Sequence, residues 1–524
     1  MKKTIKSPGN SILRRDFLKG LATVPFLGLF AVGFKDNLNK TINEKNIDYQ
    51  KRLGIDELKA PKEKLLPQTG SSSNRLRIGL VGNGWRGETL LQRLGFYHPD
   101  FIEQNKENGM LTERFLTTRM WDDLNVELTG ICDTFSVHAK RGSESISREE
   151  ILTGSGNGNK IHKAIQIFPS YREMIASGNI DAIVISTPDH THTPIAIEAA
   201  KAGIHIFLEK PMTHTIEEAV ELRNTIKSTG VVFQLGHENR QQMSFKIARE
   251  MYQKGVMGDV SMVETFTNRN SEDGAWIRTR KFDHLGNTET INWQEFLGNA
   301  PWQEFDPKRY FNWHRYSEYG TGVTGNQFSH VYDCINQILE LGIPETVVAT
   351  GGQYYYKNHG DMPDVMNAVF NYPDRKLTLT YNCSLKNEIY RSSRILGSEA
   401  TMDVDKAILL YKDSQSKRYK ELKFKNDEPF YYYAPGKDID ATTSATAKQY
   451  IRGGYGPTYI DGKAIDTTYL HMKEWIDSIR GQNQPSCNID LGFEEAVTFN
   501  LANLALKHQK TVRWDKENNK AVIG

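Results

Sequence analysis

Along residues 75–235, short and nearly continuous apolar runs alternate with amphipathic stretches. Arg75-Leu-Arg-Ile-Gly-Leu-Val81, Val126-Glu-Leu-Thr-Gly-Ile-Cys132, Ala182-Ile-Val-Ile-Ser186, Ile204-His-Ile-Phe-Leu208 and residues 231–235 read as strands; residues 88–94, 194–201 and 216–228 read as helices. Strands without polar alternation cannot turn one face to water, so this order predicts a parallel sheet covered by helices on both faces. Past residue 260 the pattern changes. Strand-like stretches at 260–267, 346–356, 367–372 and 377–383 predict one large, mainly antiparallel sheet, and helical runs at 469–480 and 494–507 lead to a last segment, Thr511-Val-Arg-Trp514. The predicted division is an α/β domain over 74–215 and an α+β domain over 216–524, the helix at 216–228 and the strand at 231–235 still adding to the first sheet.

Length and charge narrow the class. A chain of 524 residues suits two domains plus a tail. Its 66 basic and 64 acidic residues nearly cancel, to +2, without a long basic stripe, so nucleic acid is not an expected partner. Cys132, Cys334, Cys383 and Cys487 lie far apart in apolar settings, which predicts buried free thiols and no metal site.

The first residues are different. Lys2, Lys3 and Lys6 precede Leu13-Arg-Arg-Asp-Phe-Leu-Lys19, which runs into an apolar stretch to residue 34. This order resembles the twin-arginine export signal, with Leu13 where Ser or Thr is usual, and implies a periplasmic protein with a signal over 1–34. The apolar run falls short of the ~20 residues of a comfortable span, so no stable membrane span is expected. No A-x-A cleavage site follows, which leaves an uncleaved anchor open. Residues 35–73, polar and containing Pro61, Pro67 and Gly70-Ser-Ser-Ser73, read as a linker.

The first strand ends directly on Gly82-Asn-Gly-Trp-Arg-Gly87, with a helix following. In this order Gly82 permits a tight turn, Gly84 lets the backbone approach a pyrophosphate and Gly87 lets helix and strand pack closely, with Trp85 and Arg86 in the same turn. An acid closing the next strand would take the adenosine ribose; Asp133 stands there, and its charge favours NAD over NADP. The distance from Gly87 to Asp133 exceeds the usual ~20 residues, so residues 95–123 read as an insertion. Asp133 as a turn former or helix cap is the structural alternative.

Two further motifs sit at carboxyl ends of strands, where such sheets bind ligands. They are Ser186-Thr-Pro-Asp-His-Thr-His192, read as a loop, and Glu209-Lys-Pro211. With the glycine turn, and in this order, they resemble the family of glucose-fructose oxidoreductase, inositol dehydrogenase and rhizopine catabolism proteins (Gfo/Idh/MocA), from about residue 74 to the C-terminus. The resemblance implies a Rossmann domain, an NAD(P)-dependent sugar or polyol dehydrogenase activity, cofactor contacts at Thr187, Pro188, His190, Glu209 and Lys210, and a catalytic role for Lys210. Pro211 is a candidate for a cis bond. The family pattern of a glycine-rich stretch, commonly an Asp, and a His four residues on maps to Gly320-Thr-Gly-Val-Thr-Gly-Asn-Gln-Phe-Ser-His330, with Asn326 in place of the Asp. That spacing puts Asn326 and His330 on one helix face. Asn cannot take up a proton, so the acceptor is His330 or Lys210, with Asn326 orienting the sugar or the imidazole.

Residues 302–319 are rich in aromatics and hold Arg309, His314 and Arg315, and Trp276 has a similarly polar setting. Flat rings cover sugar faces and polar groups hold hydroxyls, which makes Trp313 and His314, with Arg240 after the first domain, substrate candidates beside Lys210 and His330. The expected activity is oxidation, or reversible reduction, of a secondary hydroxyl of a sugar or glycoside with NAD. An exported enzyme finds no soluble NADH recycling, so the cofactor is expected to be retained. Two alternatives are a glycoside hydrolase working by transient oxidation and elimination, and a non-catalytic sugar-binding protein. The open sheet implied by the resemblance also suits a homodimer or homotetramer.

Overall fold

Six strands, β1 (Leu76–Val81), β2 (Val126–Cys132), β3 (Gln166–Ile167), β4 (Ala182–Ile185), β5 (His205–Leu208) and β6 (Phe233–Leu235), pair in the order β3-β2-β1-β4-β5-β6. Every pairing is parallel, the order of a doubly wound dinucleotide fold. Ile78, Leu80, Ile183, Val184, Ile206 and Phe207 are fully buried, as strands covered on both faces require. The computed structural model describes residues 75–107, 122–153, 164–405, 407–423, 427–433, 457–460 and 463–524. The expected export signal over 1–34 and linker over 35–73 therefore lie outside the described residues.

The sheet extends the first domain beyond residue 215. Helix Ile216–Thr229 starts on a capping box, Thr215 accepting from the Glu218 backbone and Glu218 reaching back, and delivers the chain to β6 on the sheet edge. The helix after β4 begins at Asp189, not at Pro194, so Asp189 and His190 form its first turn and not a loop. Within the insertion, Phe96–Tyr97 is a short strand and Pro99–Glu107 a helix.

Ten strands build the second sheet: β7 (Val260–Asn268), β8 (Thr346–Gly352), β9 (Val365–Tyr372), β10 (Leu377–Ser384), β11 (Ser393–Gly397), β12 (Ala400–Val404), β13 (Ile408–Lys412), β14 (Tyr431–Tyr433), β15 (Val512–Asp515) and β16 (Lys520–Ile523). They run in the order β14-β13-β12-β11-β7-β10-β9-β8-β15-β16, antiparallel except where β10 pairs with β7. Burial alternates strictly along β9 and β10, so one face packs inward and the other stays open. Helices Ser329–Leu339 and Ile489–His508 share the inner core with that sheet, through Tyr332, Ile335, Phe499 and Leu501. The four cysteines are buried free thiols. Among the described residues, no helix is long and apolar enough to cross a membrane.

Helix Thr467–Ile479 departs from the predicted division. Its Tyr469, Leu470, Met472, Trp475 and Ile476 are buried in one cluster with Ile78, Leu80, Val184 and Phe207 of the parallel sheet. At about 1.5–3 kcal/mol per large buried side chain, these contacts are worth on the order of 10 kcal/mol, which assigns the helix to the first domain. Gln234 Nε2 donates to the His471 carbonyl at 2.7 Å, and the His471 ring meets the Leu235 carbonyl at 2.8 Å. The first domain is thus closed by a piece of chain more than two hundred residues downstream of its last strand.

Candidate functional site

Beyond β1 the backbone turns at Gly82, whose φ of +87° suits glycine and where a Cβ would come within 2.6 Å of the Ser186 carbonyl oxygen. A Cβ on Gly87 would sit 2.1 Å from the Gly82 oxygen, whereas one on Gly84 would meet nothing within 4 Å. Gly84 is the N-cap of helix Trp85–Leu94, and no side chain caps that end. A helix start facing open space is an anion site, and the buried Thr187 hydroxyl beside it has no protein partner. These residues fit a dinucleotide pyrophosphate.

Asp133 ends β2 with both oxygens engaged: Asn83 N–H donates to one at 2.6 Å and Phe135 N–H to the other at 2.8 Å. Burial pushes its carboxyl up, while His138, 3.8 Å away, and the two N–H groups oppose that. The carboxylate therefore locks the glycine turn to the end of β2, and a ribose contact would use its second lone pairs. Arg86 leaves the turn sideways. Its Nε donates to Glu209 at 2.7 Å and its Nη2 to Glu238 at 3.0 Å, tying the turn to the Lys210 loop.

The Lys210–Pro211 bond is cis. The Lys210 ammonium donates to the Asn326 backbone oxygen at 3.4 Å. Burial draws its pKa down; Glu209, Asp189 and Glu238 hold it up, and Arg86 lowers it further. Asn326 lies in one turn of π-helix, Thr324–Phe328, that runs into helix Ser329–Leu339. The Asn326 amide is buried and donates to Asp189 at 3.2 Å, while His330 is half-buried. Asp189 also accepts from the Thr321 backbone at 2.9 Å and hydroxyl at 2.6 Å, so it pins the glycine-rich loop to the first domain. Asn503 of helix Ile489–His508 holds the same loop, donating to the Thr321 oxygen at 3.0 Å and accepting from the Thr324 hydroxyl at 2.7 Å.

Burial, with the Lys210, His237, Arg86 and Arg269 charges, pushes His330 well below its ordinary pKa, leaving a neutral imidazole at neutral pH. His314 is pushed the same way by burial, then by Arg278, Lys210, Arg280 and Arg269. It stacks on Trp313 at 3.5 Å and on Trp276 at 5.7 Å, forming a three-ring wall. Arg269 lies 5.8 Å from the Trp276 ring.

Three of the expected contact residues are engaged by other groups of the chain. His190 is buried between Phe296 and Tyr319, its Nε2 2.8 Å from the Phe296 carbonyl, with burial pushing its pKa down to about 4. Glu209 is buried on Arg86. Arg240, expected at the substrate, is buried instead in an ion pair with Asp333 at 2.6 Å and donates to the Ser486 carbonyl at 2.7 Å. Beside it, His237 meets Glu495 at 2.5 Å and turns its ring edge-on to His330 at 5.6 Å. Burial works against the His237 imidazolium, but Glu495 and Asp333 outweigh it and raise its pKa. His237, Asp333 and Glu495 are close enough to hold a metal, yet Arg240 and the His237 imidazolium already balance the two carboxylates. Sequence reasoning missed Asp189, Arg269 and the His237–Glu495 pair. Asp189 was visible inside a motif, but its partner lies 132 residues away.

Residues 76–237 match the oxidoreductase family NAD-binding Rossmann fold (GFO_IDH_MocA), and residues 296–513 match the C-terminal alpha/beta domain of the same family. The 2,7-anhydro-N-acetylneuraminate hydratase of Escherichia coli K12 is 25% identical over 227 residues, 42% of this chain and 51% of that protein. Glycosyl hydrolase family 109 protein 1 of Shewanella sp. ANA-3 is 28% identical over 223 residues, 42% and 38% of the two chains. The chain spans about half the length of the curated relatives it matches. In fold it is similar to the WlbA dehydrogenase of Bordetella pertussis, solved with NADH and UDP-GlcNAcA, at a TM-score of 0.52, 18% identity and coverage of 84% and 99%.

Proposed function

From a chain that belongs to the Gfo/Idh/MocA oxidoreductase family and carries its NAD-binding Rossmann domain, we propose oxidation, or reversible reduction, of a secondary hydroxyl on a sugar or glycoside. The observation that supports this reading is that Lys210, on a loop tied by Arg86 to the glycine turn, is near enough to depress His330, with the Trp276, His314 and Trp313 rings stacked in the same domain. Bound NAD supplies the acceptor for the hydride. His330, neutral because burial and neighbouring cations depress it, accepts the hydroxyl proton, and the Lys210 ammonium stabilises the negative charge developing on that oxygen. Asn326 positions Lys210 through its carbonyl, and Asp189 holds Asn326. Asp133 orients the ribose.

The Arg14-Arg15 signal adds that the protein works in the periplasm, with a cofactor loaded before export and kept through turnover. A redox-neutral glycoside hydrolase is the second reading, favoured by the two relatives above, whose names denote addition of water without net redox. Purified protein, denatured and analysed for released nucleotide, should contain NAD. Incubation with glycosides should then give oxidised sugar without aglycone. Free aglycone with no net redox change selects the hydrolase, and a protein that neither holds nor takes up NAD refutes both.

A further inference from the structure

Arg269 follows directly on strand β7, and its backbone N–H donates to the Ser384 oxygen at 2.9 Å, which fixes where its side chain leaves the sheet. One end of the guanidinium, Nη1, donates to the Gly274 carbonyl at 3.4 Å. Among the described residues no carboxylate pairs with it. The nearby Asp273 is taken by Arg278 at 2.8 Å. Other guanidiniums of the chain are matched to acids, Arg77 by Asp181, Arg86 by Glu209, Arg240 by Asp333 and Arg394 by Asp403. Arg269 is half-buried, and that burial lowers its pKa. A half-buried cation without a counter-charge, its free nitrogens open to solvent, marks a place where a ligand brings the charge.

Its position says which ligand. Arg269 is close enough to bias both His330 and His314. The Trp276 ring between it and His314 is set by a backbone φ of +59°, a strained conformation for so bulky a residue. That strain lays the indole parallel to the His314 ring, at 7°. The cation beside the glycine turn is a different one, Arg280, over the Trp85 ring at 5.8 Å.

We propose that Arg269 receives the carboxylate of an acidic sugar, whose ring lies along Trp276 while a secondary hydroxyl reaches Lys210 and His330. The unengaged Nε and Nη2 edge matches a carboxylate bidentately. This substrate class rests on the reading of the cleft as a sugar site.

The test measures binding by calorimetry to the NAD-loaded protein, and the absorbance of its bound cofactor, for matched sugars: D-glucuronate, D-glucose and D-glucose 6-phosphate, and D-galacturonate and D-galactose. The uronate of at least one pair should bind about 10- to 100-fold more tightly than its neutral partner, and Arg269→Gln should erase that difference while retaining NAD and an unchanged far-UV spectrum. Arg269→Lys should keep part of it. Uronates binding no better than neutral sugars, tighter binding of the phosphate ester, or a preference that survives Arg269→Gln each overturn the proposal. Arg269-dependent uronate binding with no redox change and no oxidised product would instead sink the redox reading and leave the acidic substrate standing.

Discussion

Replacing Asp189 tests whether the two domains meet at the catalytic loop as described. The carboxylate is buried and accepts from the Thr321 backbone, the Thr321 hydroxyl and the Asn326 amide. Asp189→Ala lets the hydroxyl rotate to another acceptor but strands the Thr321 N–H and one Asn326 N–H, in residues that are 3% and 4% exposed. At about 1–3 kcal/mol for each buried unpaired donor, the expected loss is about 2–6 kcal/mol. Asp189→Asn keeps an acceptor oxygen and the shape, and should lose only about 1–2 kcal/mol. Urea unfolding followed by fluorescence reads both, and turnover should fall further in the alanine variant because Asn326 also holds Lys210. An alanine variant with the wild-type midpoint and slope would refute the bridging role.

Lys210→Ala should retain NAD, measured by nucleotide release, and lose at least about 100-fold in turnover; wild-type rates would remove Lys210 from the chemistry. Asp133→Ala should weaken NAD by about 1.5–3 kcal/mol in a titration of nucleotide-stripped protein, and unchanged affinity would leave Asp133 as a turn former alone. For pH, burial holds His190 at about 4, against about 6.5 in the unfolded chain. The unfolded state therefore binds the proton first as pH falls, so this stability is present above about 6.5 and is lost progressively toward pH 4. Between pH 6.5 and 5 the loss is about 2 kcal/mol; His190→Gln, compared by urea midpoints at pH 7 and 5, should lose that much less, and equal losses would contradict the assignment.

The parallel sheet was legible because its strands are short, continuous and apolar, and because the glycine turn, Asp133 and Glu209-Lys-Pro211 all fall at strand ends. Local pattern carries that much. It showed that helix Thr467–Ile479 is apolar without showing that its apolar face belongs to β5 and not to the second sheet, a choice made by packing across the chain. Arg240 is singled out in sequence and Arg269 is not. Their fates differ because Asp333 pairs with one, while Asp273 near the other is taken by Arg278, and no local signal encodes such choices. The π-turn at Thr324–Phe328 likewise has no periodicity of its own in the sequence.

The return of helix Thr467–Ile479 brings residues 457–460 and 480–488 up against residues 235–243, where the first domain leads into the second. These passages are laced together: Leu235 N–H donates to the Cys487 oxygen at 3.0 Å, Arg240 to the Ser486 oxygen at 2.7 Å and Met243 N–H to the Thr458 hydroxyl at 3.1 Å. The two halves also share one continuous core, in which Val81, Ile185 and Leu208 join Phe328, Leu379 and Phe499. Cutting the gene before residue 457 would remove the floor beneath the NAD sheet and could not yield a free-standing nucleotide-binding half.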